Sequence, residues 1–179
     1  MVPPGDLESP ERRRRAIQIA VVGGGEPETA LLPVAEEVGR RLAEAGAIVV
    51  CGGLGGVMEA TCRGARAAGG LTVGLLPGTD PGAANPFLDV ALATGLGEAR
   101  DALVARAGEA VIALGGAYGT LAEVALALKA RTPVVGLDTW KLGRPGLATD
   151  PIERVASAAE AVSRALALAR AGSAGEPRR

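Results

Sequence analysis

The segment AVIALGGAYGTLAEVALALK, residues 110–129, contains an apolar run, a glycine-rich turn and a helical pattern. Its first part, AVIALG at residues 110–115, does not alternate with polar residues. A continuous apolar run of this length is typical of a strand buried on both faces of a parallel sheet. The segment therefore predicts a β-strand at 110–115, followed by a helix at 119–131 that packs on the sheet.

The same order of strand, turn and helix recurs along the chain. Predicted strands lie at residues 17–22, 47–51, 71–76, 88–93, 110–115 and 132–137. Predicted helices lie at 28–46, 56–70, 96–108, 119–131 and 151–170, and residues 77–87 are predicted to form an irregular loop. This alternation predicts an α/β fold, a doubly wound parallel sheet (Rossmann-like) in a single domain with helices on both faces.

Length and composition predict one domain with short extensions. The chain has 179 residues, 48% of them hydrophobic, which suits a single core at residues 16–170. Residues 1–15 and 171–179 are predicted to be mobile tails, and the Arg12–Arg15 cluster is interpreted as a solvated part of the first. No apolar run reaches the ~20 residues of a membrane span, and no secretion signal is recognised. We therefore expect a cytoplasmic protein with no membrane partner.

Charge and missing residue types exclude several classes of function. The net charge of −1 gives no basic surface for nucleic acid, so no nucleic-acid partner is expected. The chain has no histidine, which excludes a Ser-His-Asp triad and any histidine-bound metal. Cys51 and Cys62 form no CxxC motif and are expected to be reduced thiols. We therefore expect no metal and no cofactor, and any chemistry must use carboxylates, arginines, hydroxyls and backbone amides.

Three predicted strand-to-helix turns are rich in glycine, at residues 23–28, 52–59 and 115–120. In a doubly wound sheet these turns lie at the carboxyl edge, where ligands bind and helix N-termini offer unpaired N–H groups to phosphate. A single such turn is equally typical of a tight connection, and neither GxGxxG nor GxxxxGK[ST] is present. The candidate ligand-binding or phosphate-binding residues are Gly23, Gly24, Gly53, Gly55, Gly56, Met58, Glu59, Gly115, Gly116, Ala117, Tyr118, Gly119 and Thr120.

Glu123 is the only acidic residue in the helix predicted at 119–131, and two interpretations of it stay open. Thr120 and Glu123 have the spacing of a capping box, which needs no function. Alternatively, Glu123 faces a ligand at the sheet edge, because the predicted sheet-facing side of the helix consists of Leu121, Val124, Ala125 and Leu128. The remaining helix surface is also apolar, which predicts a homodimer or a higher homo-oligomer.

Two segments carry a family resemblance. Residues 51–77, CGGLGGVMEATCRGARAAGGLTVGLLP, and residues 115–123, GGAYGTLAE, resemble the two signature segments of the Lonely Guy family, formerly called lysine decarboxylase-like. The second signature of that family is PGGxGTxxE, which Gly116, Gly119, Thr120 and Glu123 match. A sister branch with similar segments contains the molybdenum-cofactor carrier proteins. The departures from the signature at Gly115, Ala117, Ala122 and Asp101 resemble this branch.

The resemblance implies both a site and a choice of functions. Arg100 lies 23 residues before Glu123, the spacing of the family arginine, and the pair would be the catalytic residues of a nucleoside 5′-monophosphate phosphoribohydrolase. Glu123 would stabilise the ribosyl cation or act as a base, and Arg100 would bind the ribose, the phosphate or the departing base. The alternative is a non-catalytic carrier or nucleotide sensor. The implied partner is a purine nucleoside monophosphate or a pterin-type cofactor. Tyr118 would either stack on the base of the ligand or fill space at the turn.

Overall fold

The computed structural model describes residues 15–26 and 29–173 of the chain. Seven strands form its sheet: β1 Gln18–Gly23, β2 Ile48–Cys51, β3 Thr72–Leu76, β4 Val90–Ala93, β5 Ala110–Leu114, β6 Val134–Leu137 and β7 Glu153–Arg154. Five α-helices accompany them: α1 Leu31–Glu44, α2 Val57–Ala67, α3 Asp101–Ala107, α4 Tyr118–Lys129 and α5 Ala158–Ser173. Short 3₁₀ turns occupy Pro81–Ala83 and Gly97–Arg100.

The sheet is doubly wound and parallel, as the apolar runs predict. The strand order is β4-β3-β2-β1-β5-β6-β7, and every neighbouring pair is parallel. Strands are added in one direction from β1 to β4 and in the other from β5 to β7. The order therefore reverses between β1 and β5, and ligands of such sheets bind at the carboxyl ends of the strands at this point.

Both faces of the central strands are buried. Ile19 and Val21 of β1 pack on the side of α1, α2 and α5, whereas Ala20 and Val22 pack on the side of α3 and α4. All four of these side chains are at most 1% exposed. The two cores explain the continuous apolar run in β1, because every residue from Ile19 to Gly23 is buried.

Helices α1 and α2 approach each other at two glycines. A Cβ atom added to Gly39 of α1 would lie 1.9 Å from the carbonyl oxygen of Thr61. A Cβ atom added to Gly64 of α2 would lie 1.9 Å from the carbonyl oxygen of Glu36. The helix backbones are therefore in direct contact, and this contact fixes the position of α2, whose first turn borders the ligand edge of the sheet.

Three predicted elements differ from the structure. The helix predicted at 151–170 begins only at Ala158, because Glu153–Arg154 pairs with β6 as an edge strand. The helix predicted at 96–108 is divided into a 3₁₀ turn and α3. The loop predicted at 77–87 contains a 3₁₀ turn, where the Asp80 carboxylate accepts a hydrogen bond of 2.8 Å from the Gly82 amide.

The predicted tails fall almost entirely outside the described residues, as does the start of the helix predicted at 28–46. Of the Arg12–Arg15 cluster, only Arg15 is described, and its guanidinium lies 3.2 Å from the carboxylate of Glu109. Within residues 15–26 and 29–173, no helix has the length and apolar character that a bilayer crossing requires.

The predicted homo-oligomer and cytoplasmic location stay predictions. Ala122 and Ala125 are exposed on α4, as an apolar contact surface there requires. Larger exposed apolar side chains lie elsewhere. Five of them are 39–50% exposed: Leu71, Val90, Leu92, Leu96 and Leu103.

Candidate functional site

The ends of β1, β2 and β5 bring the three glycine-rich turns to one edge of the sheet. A larger cavity of about 740 Å³ lies between the turns after β1 and β5, and we call it the glycine-walled cavity. It is lined by Gly24, Gly25, Glu26, Ala30, Leu31, Val34, Gly115, Gly116, Ala117 and Asp138. Among the described residues, no basic side chain lines it. Its polar walls include backbone at the starts of α1 and α4.

A smaller cavity of about 220 Å³ adjoins the first, and we call it the charged cavity. It is lined by Gly23, Gly24, Gly25, Met58, Arg100, Asp101, Ala117, Gly119, Thr120 and Glu123. Gly24, Gly25 and Ala117 border both cavities, so one ligand can reach from one cavity into the other. The two predicted catalytic residues, Arg100 and Glu123, thus come together at the edge where the strand order reverses.

Arg100 lies between two carboxyl groups in the charged cavity. Its Nη1 atom is 3.2 Å from Oδ1 of Asp101 and 3.9 Å from Oε1 of Glu123. The side chains of Arg100 and Glu123 are each only 9% exposed. Among the described residues, the buried Nε of Arg100 has no hydrogen-bond partner. A buried guanidinium with an unpaired donor is costly in a structural role, and this indicates a group that binds ligand.

Burial makes the Glu123 carboxyl a weak acid. Its pKa is raised to about 8, mainly by desolvation and also by the negative charge of Asp101, while the positive charge of Arg100 acts in the opposite direction. Burial also raises the pKa of Asp101, against the opposing charge of Arg100. One cation therefore does not compensate two carboxylates, and Glu123 holds a proton at neutral pH.

The capping-box interpretation of Thr120 and Glu123 is wrong. Helix α4 begins at Tyr118 with Ala117 as its N-cap residue, and no side chain caps it. Thr120 thus lies inside the first turn and Glu123 inside the second. The helix begins early because Gly116 adopts φ of +100°, which turns the chain tightly after β5.

The predicted sheet-facing side of α4 is also wrong. The buried residues of the helix are Thr120, Glu123, Val124 and Ala127. Of the four predicted residues only Val124 is buried; Ala125 is exposed, and Leu121 and Leu128 are half-buried. Glu123 therefore does not lie beside the buried face but belongs to it, and it reaches the cavity from inside the fold.

The candidate binding residues divide into two groups. Gly23, Gly24, Met58, Gly115, Gly116, Ala117, Gly119 and Thr120 line the two cavities. The other five, Gly53, Gly55, Gly56, Glu59 and Tyr118, line neither, and their contact with ligand stays a prediction. Gly56 has φ of +66°, and a Cβ atom there would lie 2.4 Å from the carbonyl oxygens of Gly24 and Gly25. Its role in the structure is to let the first two glycine turns pack against each other.

Tyr118 stands outside both cavities. Its side chain is 79% exposed, and its ring centroid lies 5.5 Å from that of Trp140. The indole Nε1 of Trp140 donates a hydrogen bond of 3.1 Å to the carbonyl oxygen of Ala117. The aromatic pair thus holds the turn after β5 from its outer side.

Seven residues that line the two cavities are absent from the predicted set: Gly25, Glu26, Ala30, Leu31, Val34, Asp101 and Asp138. Gly25 and Glu26 belong to the glycine-rich turn predicted at 23–28, so the turn pattern contained a signal for them. Asp101 is visible in the sequence only as a departure from the family lysine. Asp138 follows β6 in a left-handed conformation, with φ of +49°, and nothing in its sequence context marks it as part of a site.

Replacing Gly52 by alanine is expected to displace Arg100. A Cβ atom at Gly52 would lie 2.2 Å from Nη1 of Arg100 and 2.8 Å from the sulfur of Met58. Both atoms are at the ends of flexible side chains, so the fold can adjust while the guanidinium moves. We expect a melting temperature near that of the wild type and an affinity for a ligand of the charged cavity lower by about tenfold, since one charge-assisted contact is lost. Thermal denaturation and calorimetric titration, with GMP as a probe ligand, check this, and unchanged affinity would contradict it.

Comparison with known proteins agrees with this architecture. The SLOG cluster4 family profile matches residues 16–171. An uncharacterized protein from Archaeoglobus fulgidus is 42% identical over 123 residues, which are 69% of this chain and 81% of that protein. The molybdenum cofactor binding protein of Rippkaea orientalis has a similar structure, with a TM-score of 0.79, 32% identity, and coverage of 87% of this chain and 98% of that one.

A second similar structure is the molybdenum cofactor carrier protein of Chlamydomonas reinhardtii. Its TM-score is 0.77 at 37% identity, and the match covers 88% of this chain and 99% of that one. The resemblance to the superfamily of Lonely Guy and carrier proteins is thereby confirmed. The chain belongs to the SLOG cluster4 family.

Proposed function

We propose that the protein binds a small phosphorylated ligand of the pterin-cofactor type across its two adjoining cavities and carries it without turnover. The observation on which the proposal rests is the match over nearly the whole chain to two proteins that bind the molybdenum cofactor. A cavity of about 740 Å³ beside one of about 220 Å³ offers room for a phosphate-bearing part and a ring.

The residues present fit the phosphate of such a ligand. The glycine-walled cavity is bordered by the start of α1 and by Ala117, the N-cap residue of α4; the helices have 14 and 12 residues. In the first turn of α1, the Leu32 amide donates to the carbonyl oxygen of Thr29 and Pro33 has no N–H group. The positive dipole ends and the amides at the start of α4 are therefore what attract an anion. Glycines at positions 24, 25, 115 and 116 leave the backbone accessible, so a phosphate can approach the amides closely. Among the described residues, no basic side chain lines this cavity, and its two acidic side chains, Glu26 and Asp138, are exposed to solvent. The backbone amides are therefore its main donors to a phosphate.

A second candidate function is hydrolysis of a nucleoside 5′-monophosphate, and the protonated, buried Glu123 favours it. In N-glycosidic cleavage the bond between C1′ and the base nitrogen breaks, water adds its hydroxyl to C1′, and the base gains a proton. A carboxyl with a pKa of about 8 still carries a proton at neutral pH and can donate it to the departing base. Arg100, whose Nη1 atom lies 3.9 Å from Glu123, would stabilise negative charge on the ligand.

Retention of the molybdenum cofactor tests the carrier function. The full chain is incubated anaerobically with cofactor released from a molybdoenzyme, separated by gel filtration, and assayed for protein-bound pterin after oxidation. We expect about one pterin per chain for the wild type and at least tenfold less for Arg100→Ala, because its buried donors are lost. Arg106→Ala, which removes an exposed arginine from α3, is the matched control and should retain the ligand. A wild type that retains none would refute the proposal.

The same preparation separates the carrier from the hydrolase. Wild type and Glu123→Ala are incubated with AMP and with N6-isopentenyl AMP, and free base is quantified by chromatography. Base released by the wild type and not by the variant would support hydrolysis. Retained cofactor without any released base would support the carrier alone.

A further inference from the structure

The charged cavity contains two carboxyl groups that lack hydrogen-bond donors. Asp101 and Glu123 each contribute one of them, and among the described residues Arg100 is the only cation that lines the cavity. Neither carboxyl accepts a hydrogen bond from any residue that the structure describes; their contacts are the two ion pairs to Nη1 of Arg100. An occupant that brings N–H or O–H donors would therefore satisfy groups that the fold leaves unsatisfied.

The phosphate of the ligand does not fit this cavity. Nη1 of Arg100 lies 3.2 Å from Oδ1 of Asp101, so with Glu123 protonated the cavity offers a phosphate no uncompensated positive charge, and an ionised Glu123 would repel it. Glu26 and Asp138 line the glycine-walled cavity, but both are exposed, so solvent screens their charges, and the helix N-termini there favour a phosphate. Since Gly24, Gly25 and Ala117 border both cavities, the other end of the same ligand then lies in the charged cavity.

The two carboxyl groups are not equivalent. The Asp101 side chain is 19% exposed, whereas that of Glu123 is 9% exposed. Asp101 is also nearer to Arg100, at 3.2 Å compared with 3.9 Å. The nearer cation favours the ionised form of Asp101, and the greater burial of Glu123 favours its protonated form. Asp101 is therefore the accessible acceptor, and Glu123 is a donor to the ligand.

A carboxylate acceptor such as Asp101 determines which edge of a ligand ring can bind beside it. Pterins carry a 2-amino-4-oxo edge and guanine the equivalent 2-amino-6-oxo edge, and on both a ring N–H and an exocyclic amino group lie side by side as two donors. A carboxylate can accept both at once, and such paired, charge-assisted hydrogen bonds are strong and directional. Adenine places an acceptor nitrogen beside its amino group, so it would set a lone pair against the carboxylate. Hypoxanthine keeps the ring N–H and lacks the amino group.

We propose that Asp101 is a specificity-determining residue that accepts two hydrogen bonds, one from the ring N–H and one from the 2-amino group of a pterin or guanine ring. The inference rests on the proposed function, since it assumes that a phosphorylated heterocycle occupies the two adjoining cavities. It goes beyond that function by naming the ring edge and the side chain that recognises it through hydrogen bonds.

Calorimetric titration of the full chain with GMP, IMP and AMP tests the inference, because IMP differs from GMP only in lacking the 2-amino group. We expect wild type to bind GMP at least tenfold more tightly than IMP, and AMP more weakly than either. In Asp101→Asn, which keeps the side-chain shape but replaces one acceptor oxygen by a donor, the difference between GMP and IMP should fall below threefold. Glu98→Gln removes an exposed carboxyl close to Asp101 and should keep the wild-type preference.

The possible results distinguish the inference from the function on which it rests. Equal affinities of wild type for GMP and IMP, or an unchanged preference in Asp101→Asn, would overturn the role of Asp101 alone. Absence of binding by all three nucleotides, together with no retention of the molybdenum cofactor, would overturn both. The melting curves must first show that wild type and Asp101→Asn are both folded. Retention of the cofactor by wild type and not by Asp101→Asn would then support the inference for the pterin ring directly.

Discussion

Replacing Gly64 by valine is expected to lower the melting temperature by roughly 6–12 °C, if an overpacked core costs about 3 kcal/mol and each kcal/mol shifts a domain of this size by about 2–4 °C. The physical reason is the contact between α1 and α2. A Cβ atom at this position would lie 1.9 Å from the carbonyl oxygen of Glu36 and 2.7 Å from its carbonyl carbon. These are backbone atoms, so no side chain can rotate away, and the two helices must separate.

A glycine in an open position supplies the control for this experiment. Gly119 in the first turn of α4 has no other atom within 4 Å of a Cβ atom placed on it. Gly119→Ala should leave the melting temperature unchanged or raise it, because alanine favours a helix by about 0.5–1 kcal/mol over glycine. Thermal denaturation followed by circular dichroism measures both variants. Equal melting temperatures for Gly64→Val and wild type would mean that the helices do not touch as described.

The strands were largely predictable from the sequence, because burial on both faces leaves an unbroken apolar run. β5 was predicted at 110–115 and is found at Ala110–Leu114. β7 was not predictable in this way, because its two residues, Glu153 and Arg154, are charged. Its pairing depends on tertiary contacts: the Arg154 guanidinium donates to the carbonyl oxygen of Thr139 at 2.9 Å and to the Asp150 carboxylate at 2.9 Å. The pattern of apolar and polar residues in the sequence does not predict such contacts.

The error on α4 has a different cause. Apolar periodicity assigns the most hydrophobic residues to the buried face, and it placed Leu121, Ala125 and Leu128 there. The fold instead buries Thr120 and Glu123, because this side of the helix forms a wall of the charged cavity. Functional sites often place polar residues in buried positions against the local pattern, so periodicity fails at Thr120 and Glu123, the residues proposed to face the ligand.

The candidate site was predictable in its main residues and not in its shape. The family spacing selected Arg100 and Glu123, which the structure brings within 3.9 Å of each other. The division into two adjoining cavities depends on how the turns after β1 and β5 approach each other, and no motif encodes that distance. The acceptor role of Asp101 likewise emerges only when its carboxyl is found beside Arg100 without a hydrogen bond from the described residues.

Replacing Glu123 by glutamine is expected to stabilise the protein at neutral and higher pH while impairing the site. Burial raises the pKa of Glu123 from its ordinary value of 4.5 to about 8 in the folded protein. Between these two values the folded state keeps a proton that the unfolded chain has released, so the free energy of unfolding of wild type falls as the pH rises. Glutamine cannot lose a proton and removes this pH-dependent loss.

The difference between variant and wild type should therefore depend on pH. At pH 4.5 or below the two melting temperatures should nearly coincide. Toward pH 8 the variant should become more stable by a few kcal/mol, given about 1.4 kcal/mol for each unit of pKa shift and allowing for partial solvent screening. The groups that face Glu123 are Arg100, Asp101 and Cys51, and Asp101 contributes a smaller change of the same sign.

Thermal denaturation at several pH values between 4.5 and 8 measures this gap. Glu98→Gln removes an exposed carboxyl from the same side of the sheet and should follow the wild-type profile throughout. Parallel profiles for Glu123→Gln and wild type would show that Glu123 is not desolvated in the folded protein. A gap that widens with pH, together with loss of base release or cofactor retention in Glu123→Gln, would mean that the fold tolerates an unfavourable buried acid because the ligand needs it there.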